Sequence, residues 1–562
     1  MEYDFVFRSR RSNIITRHGM VAASQPLAAL AGLDILRAGG TAADAAIAVA
    51  AALNVVEPFS TGIGGDCFAL YWDAKTKKVY ALNSSGPAAR RSSIQDIRDA
   101  GYTEYPLWSG QAVSVPGTVA GWEALLTRFG RMSLGDVLQS AIAQAENGYP
   151  VTEWIAHGWS LMPSRLLRGS SPKEENLALH MRRSGPSQPS GGEFLINGCA
   201  PIAGEIMHLP TLAKTLRRIA EKGSSYIYQG DFAHALCEHV QKYDGWLELD
   251  DLAAFKPEWV EPIFADYHGY RLHECPPNGQ GLAAIMAARI ADGFDLAAMN
   301  TIDRTHTLIE CMRLGFAEAL AWVSDPRFVN IPYDQLFDET YIANRSAMIK
   351  PDQALSHIQT GAVRMGDDTI YLSVIDGEGN ACSFINSIYY GGGSGLVVPG
   401  TGVLLQNRAA TFSLDQTHPN ALEGGKRPYQ TIIPAMITHE NELFASFGVM
   451  GGFMQPQGHL QMLVNLVDLG YNPQHALDMP RFRLSVSGGG MGAGDPGGRL
   501  ALEEGFNTQD IAELSSRGHR ISSVSGYNRV QFGGGQIILR DSDSGVLTAG
   551  SEPRKDGCAL GY

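Results

Sequence analysis

The sequence predicts a mixed α/β fold (α+β), and two periodicities predict it. Apolar residues recur at helical spacing in several long stretches, and elsewhere they alternate as they do along a strand. Size is the third observation. At 562 residues, 44% of them apolar and with a mean hydropathy near zero, the chain exceeds what one core needs and reads as soluble and globular.

In chain order, Ser24 reads as the N-cap of a helix carrying Leu27, Leu30, Leu33 and Leu36 on one face, ended by Gly39-Gly40. Thr41 opens a second, alanine-packed helix to about Val55, and Pro58 with Gly62-Ile63-Gly64-Gly65-Asp66 breaks into a loop. That loop has no Lys-Ser/Thr pair to cradle phosphate and opens no dinucleotide-binding unit. Phe68 to Asn83 alternates as two strands joined near Lys75-Thr76. Leu134 to Asn147, Leu212 to Ile227, Phe232 to Gln241 and Arg304 to Val323 read as helices. Residues 170 to 192 read as a polar surface excursion, and Pro276 to Gly281 as a rigid structural loop. A polar, non-periodic run from Lys350 to Asp368 stops at Thr369. Beyond it Ile370, Leu372 and Val374 fall on one face and Tyr371, Ser373 and Ile375 on the other, a strand with at least one buried face. Asp376 to Asn380 supplies turn chemistry, and Ala381 to Ile388 reads as the returning strand.

Several function classes are disfavoured. A net charge of −14 with no Lys/Arg-rich run argues against a nucleic-acid partner. Seven scattered cysteines with no CxxC spacing favour free thiols in a reducing compartment over a disulfide frame or zinc site. The longest apolar stretch, Ala42 to Val56, contains Asp44 and is too short to span a bilayer. The N-terminus shows no apolar leader core, so the expectation is a cytoplasmic chain with no membrane partner; no metal or cofactor is expected either. Gly492 to Gly497 matches GxGxxG by letter, but its Asp-Pro and the strand-like Arg499 to Leu502 deny the helix that binds pyrophosphate. Neither a GxSxG elbow nor an HExxH motif occurs, and His418 and His459 read as structural.

A threonine heading a core strand behind an expendable loop suits one particular chemistry. Cutting Asp368-Thr369 would leave one residue holding both a hydroxyl nucleophile and, in its free α-amine of pKa about 8, a general base. Spacing alone does not single out this threonine, because strand-starting threonines are common. Four segments add to it: the early helix pair with Glu57-Pro58 and Gly62-Ile63-Gly64-Gly65, the run Val113 to Gly121, the Thr369 strand, and Gly448-Val449-Met450-Gly451-Gly452 with the following Leu460 to Phe482. On these the chain resembles the γ-glutamyltranspeptidase (glutathione hydrolase) family from about Gly19 to its end. Within that family it resembles the divergent glutathione-hydrolase-like branch that includes cephalosporin-acylase-like and oxamate-amidohydrolase-like members.

The resemblance implies the four-layer αββα sandwich of the N-terminal-nucleophile (Ntn) hydrolases, built from a large fragment, residues 1–368, and a small one, residues 369–562. It implies cleavage between Asp368 and Thr369, with Thr369 as nucleophile. Ser387 stands where the family has a threonine bonded to the nucleophile's hydroxyl, and Gly451 and Gly452 stand at its oxyanion loop. The acyl pocket departs from the family pattern. Asn83 replaces a carboxylate-gripping arginine, Tyr389 an asparagine, Arg408 a glutamine, Thr411 an aspartate, and Gln430-Thr431 a Ser-Ser pair. Losing the acid at 411 removes the partner of a substrate ammonium, and Arg408 adds a cation. The expectation is a self-processing amidohydrolase acting on a small amide whose acyl group carries a carboxylate but no neighbouring ammonium. An ion pair of Arg408 with Asp415 or another acid, ordinary γ-glutamyl hydrolysis or transfer, and an uncut, silent homologue with a binding role are the alternatives. A homo-oligomer stays open.

Overall fold

The structure, a computed structural model, describes residues 11–160, 162–166, 189–355, 369–485 and 498–562. Asp368, the polar run from 356 onward, most of the 170–192 excursion and the GxGxxG-like stretch lie outside the described residues.

Two seven-stranded sheets, each antiparallel throughout, form the centre. One runs Cys558–Gly561, Met20–Ala23, Ile370–Ile375, Ala381–Ser387, Asp66–Asp73, Lys78–Ser84, Glu258–Val260. The other runs Ile14–Thr16, Leu547–Ser551, Gly534–Arg540, Glu442–Met450, Ala435–His439, Tyr270–Glu274, Ile263–Tyr267. Segments from before and after residue 369 supply strands to both sheets.

Three separate apolar cores account for the layering. Ile370, Leu372 and Val374 pack with Ala-rich Ala42–Val56 and its neighbouring helices. Tyr371 and Ile375, on the opposite face, pack against Met436, Met450 and Ile538 of the second sheet. That sheet's outer face, with Phe447 and Ile537, meets helices Gly281–Ala291, Thr301–Trp322 and Met454–Val467. Helix, sheet, sheet, helix is therefore the order of layers, the αββα sandwich. The strand after Thr369 is buried on both faces because a layer covers each side.

Local chemistry sets the boundaries. Thr41 and Asp44 form a capping box at the start of the second helix. The first helix, Pro26–Arg37, is capped by Gln25 rather than Ser24, since Gln25 accepts from Leu27 and Ala28 while the Ser24 hydroxyl donates to Glu57 at 2.8 Å. The expected helix from Leu212 to Ile227 is broken after Pro210–Lys222 by Gly223, which takes φ +66° and forces a new turn at Ser225–Tyr228. Leu134 to Asn147 likewise divides into Leu134–Val137 and Gln139–Asn147. All seven cysteines are unpaired. Among the described residues no helix is long and apolar enough to cross a membrane.

Candidate active site

Thr369 lies at the mouth of its strand with its side chain buried. Its hydroxyl donates to Ser387 Oγ at 3.2 Å, and the same oxygen accepts the Tyr389 backbone N–H at 2.8 Å. The hairpin pairs Ile370 with Asn386, so the antiparallel register itself sets Ser387 opposite Thr369. Tyr389 takes φ +77°, a left-handed conformation that a bulky residue adopts only when its surroundings enforce it. The Ser387 oxygen on its N–H is part of that enforcement. Gly65 lets the glycine loop close on this turn: a Cβ there would lie 2.3 Å from the Ser387 carbonyl oxygen.

The two sheets bring the glycine pair to the same level. Ser373 donates to Ser446 across the interface at 2.6 Å, and two residues on, the Tyr371 ring covers Gly448. The next step of that stagger carries Thr369 to the end of Glu442–Met450, where Gly451 and Gly452 follow at φ +125° and +54°. Neither glycine amide donates a hydrogen bond among the described residues. Gln280 fixes the loop, its amide nitrogen donating to the carbonyls of both Gly452 and Thr431.

Arg408 completes the line. Its guanidinium stacks over the Tyr389 ring, 4.5 Å from the centroid, and Nη1 donates to Thr431 Oγ1 at 2.7 Å. The side chain is wholly buried, yet Nε and Nη2 have no partner among the described residues. Burial holds this guanidinium down to about 10, against the opposing pull of Asp66. Asp415 is not its counter-ion, being occupied with Thr417 in a surface turn. Thr411 donates to the carbonyls of Arg408 and Tyr429 and so braces the pocket wall.

The structure thus joins Thr369, Ser387, Tyr389, Arg408, Thr431, Gln280 and Gly452 through successive contacts. Gln430 is attached to the same frame: its amide nitrogen donates to Asp66 at 2.9 Å, and its Oε1 is unpartnered. Asn83 stands further back. Its oxygen accepts from Ser85 and its nitrogen donates to Asn278, so both ends hold the loop beneath the pocket. Sequence reasoning passed over Asp66 and Gln280. The signal for Asp66 was a charged residue at the head of an otherwise apolar strand, Asp66–Asp73; nothing in the Pro276 to Gly281 loop marks Gln280.

Away from this site, His306, Glu310 and His519 place ligand-type atoms within 4.8 Å of one another. Most of their capacity is already spent among themselves and their neighbours; His519 Nδ1 is the one ring nitrogen of the two histidines left without a hydrogen bond among the described residues. His306 Nδ1 and His519 Nε2 share a hydrogen bond at 2.8 Å, His306 Nε2 donates to the Lys350 carbonyl, and Glu310 pairs with buried Arg313 at 3.0 Å. A cation there would face two arginines, Arg313 and Arg517, whose charges add to the burial that holds His519 down to about 3. His459, expected to be structural, donates through Nδ1 to buried Glu274 at 2.6 Å and accepts the Val449 N–H.

Comparison with known proteins agrees with this architecture. The model of the family described as Gamma-glutamyltranspeptidase matches residues 28–562. The chain is 35% identical to a glutathione hydrolase-like proenzyme of Bacillus subtilis (strain 168), covering 98% of this chain and 99% of that one. It is 32% identical to the oxamate amidohydrolase proenzyme of Klebsiella pneumoniae subsp. pneumoniae, over 98% of this chain and all of the other. Among solved structures it is similar to the cephalosporin acylase from Bacillus halodurans, with a TM-score of 0.89, 42% identity and coverage of 100% and 99%. The chain belongs to the gamma-glutamyltranspeptidase family and is an amide hydrolase of the Ntn kind.

Proposed function

We propose that this protein is a self-processing N-terminal-threonine amidohydrolase whose substrate is a small amide with a carboxylate, and no neighbouring ammonium, on its acyl group. Arg408 carries this reading. A buried guanidinium with two uncommitted nitrogens, stacked beside the turn that bonds Thr369, supplies charge-assisted donors for an acyl carboxylate. Thr411, a neutral hydroxyl donating to backbone carbonyls, offers no negative charge to balance an ammonium. The name of the similar oxamate amidohydrolase is in keeping with such an acyl group.

In maturation, Thr369 Oγ attacks the Asp368 carbonyl carbon, the Asp368–Thr369 C–N bond breaks, and the acyl group passes from nitrogen to oxygen. Water then hydrolyses that ester and frees the Thr369 hydroxyl and α-amine. In turnover, Thr369 Oγ attacks the substrate's amide carbon while the α-amine takes the hydroxyl proton. Ser387 Oγ, accepting from the hydroxyl, keeps it aimed. The N–H groups of Gly451 and Gly452 are the donors for the tetrahedral oxyanion, each worth on the order of 3 kcal/mol of barrier. Collapse expels the amine, which collects the proton from the ammonium, and water releases the acyl group from the threonine ester. The two fragments remain interleaved through both sheets, and the protein works in the cytoplasm without a cofactor.

Oxamyl, glutaryl, neutral-acyl and γ-glutamyl amides of one chromogenic amine, offered to the matured protein, test the proposal. Higher kcat/KM for the first two supports it. Equal or better turnover of the γ-glutamyl compound refutes it in favour of γ-glutamyl hydrolysis or transfer.

A further inference from the structure

Asp66 is a fully buried carboxylate in the row beside the nucleophile, paired in register with Ser387. The mechanism above gives it no part. Its Oδ1 accepts the backbone N–H groups of Gly86 and Gly117, both at 3.1 Å, and Gln406 Nε2 at 3.0 Å. Its Oδ2 accepts Gln430 Nε2 at 2.9 Å. Arg408 is the cation that acts on it, without direct contact among the described residues.

An ionised carboxylate only accepts hydrogen bonds. Both glutamines must therefore turn their NH2 groups to Asp66, which turns their carbonyl oxygens away. Those two oxygens, Gln406 Oε1 and Gln430 Oε1, are buried and unpartnered. Buried amide oxygens left bare are costly unless something meets them. Arg408, bonded to Thr431 next to Gln430 and two residues from Gln406, adds two bare nitrogens, Nε and Nη2. One charge thus sets both the polarity of the amide faces and the balance against the guanidinium.

We infer that Asp66 is a positioning residue of the acyl pocket: it is the counter-charge of Arg408 and it orients Gln430, so that it tunes how strongly the pocket prefers an anionic acyl group. The inference rests on the reading of the pocket as the acyl site. Family-pattern substitutions at 408 and 430 gain a physical partner from it, because a buried arginine and an oriented glutamine each need the carboxylate at 66.

Asp66→Asn in the full-length protein is the test. The Asn oxygen keeps the Gly86, Gly117 and Gln406 bonds, while its NH2 faces Gln430, which must then turn over and show its own NH2 to the pocket. The pocket gains one positive charge and exchanges an acceptor for donors. The KM of a glutaryl amide relative to that of a neutral-acyl amide of the same amine should fall about tenfold, as the loss of one opposing charge in a site of intermediate dielectric implies. The shift should lie in the KM ratio and not in the kcat ratio. Both substrates losing kcat/KM in equal proportion would mean that Asp66 merely holds the fold, and would overturn the inference. If the variant yields no folded protein, the wild type decides through pH. Burial, offset by Arg408 and the four donors, sets the Asp66 carboxyl at about 6. The other titratable groups near it are Cys67 on its own strand and Tyr228 behind it, both kept neutral by burial, and Arg408, which stays cationic. The same KM ratio should then fall as pH drops from 7 to 5, and a flat ratio overturns the inference. A wild-type protein that neither cuts itself nor splits either amide would instead sink the proposed function, so the two failures are distinguishable.

Discussion

Ser387→Ala is the perturbation whose consequences the geometry specifies most fully. The hydroxyl removed is the acceptor for Thr369 Oγ1 at 3.2 Å and for the Tyr389 N–H at 2.8 Å. Alanine fills nearly the same volume, so packing is little changed and the loss is polar. The Tyr389 N–H is left without this acceptor in a buried turn already held at φ +77°, a penalty of about 1–3 kcal/mol of stability. Thr369 loses the atom that aims its hydroxyl. A misdirected nucleophile costs on the order of 10- to 100-fold in kcat, equivalent to about 1.4–2.7 kcal/mol of barrier. KM should move little, because the proposed acyl contacts run through Arg408 and not through Ser387. The assay is steady-state hydrolysis of a chromogenic amide alongside thermal unfolding, with Ser387→Thr as the control that restores the oxygen. Self-cleavage, which uses the same hydroxyl, should slow in step with kcat. A Ser387→Ala protein that matures normally and keeps kcat within twofold would refute the assignment of Ser387 as the nucleophile's partner.

Arg408→Met should raise the KM of a carboxylate-bearing acyl amide 10- to 100-fold through loss of charge-assisted bonds, and leave a neutral-acyl amide within threefold; equal effects on both would mean that Arg408 does not meet the acyl carboxylate. Gly448→Ala places a Cβ 2.6 Å from the buried Tyr371 ring, whose hydroxyl is tied to Ser383. The overpacking should cost about 1–3 kcal/mol in unfolding free energy and lower kcat more than KM, since Tyr371 lies two residues from the nucleophile. His519 concerns stability alone. Burial and nearby arginines hold its folded-state value at about 3, below its ordinary 6.5, so the fold favours the neutral ring. Its contribution is complete above pH 6.5 and is lost as pH falls toward 3, at about 1.4 kcal/mol per pH unit, because the unfolded chain takes up a proton that the folded chain refuses. His519→Gln should therefore flatten the decline of the unfolding midpoint below pH 6.5; an unchanged slope would contradict the assignment.

Much of the architecture was legible because periodicity survives translation into layers. The alternation after Thr369 separated the face that meets the helices from the face that meets the second sheet, and Thr41 announced a helix start, which the structure completes as a capping box with Asp44. The Gly223 break was visible as a letter but was overridden by the apolar spacing on either side of it. Ser24 has the side chain of a common cap, but tertiary contact with Glu57 claims its hydroxyl. At the site, resemblance supplied Thr369, Ser387, Gly451 and Gly452, and departures from the family pattern supplied Arg408. What no local reading reveals is which buried groups are left without partners. That Gln280 braces both Thr431 and Gly452, and that Asp66 gathers donors from Gly86, Gly117, Gln406 and Gln430, are facts of chain crossings between segments 20 to 364 residues apart.

The claim beneath the chemistry is that the backbone opens before Thr369 so that its amine becomes free. Intact mass and N-terminal sequencing of the purified wild type and of Thr369→Ala measure this directly. The account predicts two fragments from the wild type, residues 1–368 and 369–562, the smaller beginning with an unblocked Thr369, and one uncut, inactive chain from the variant. A wild-type protein that stays a single chain of 562 residues and still splits amides would contradict it.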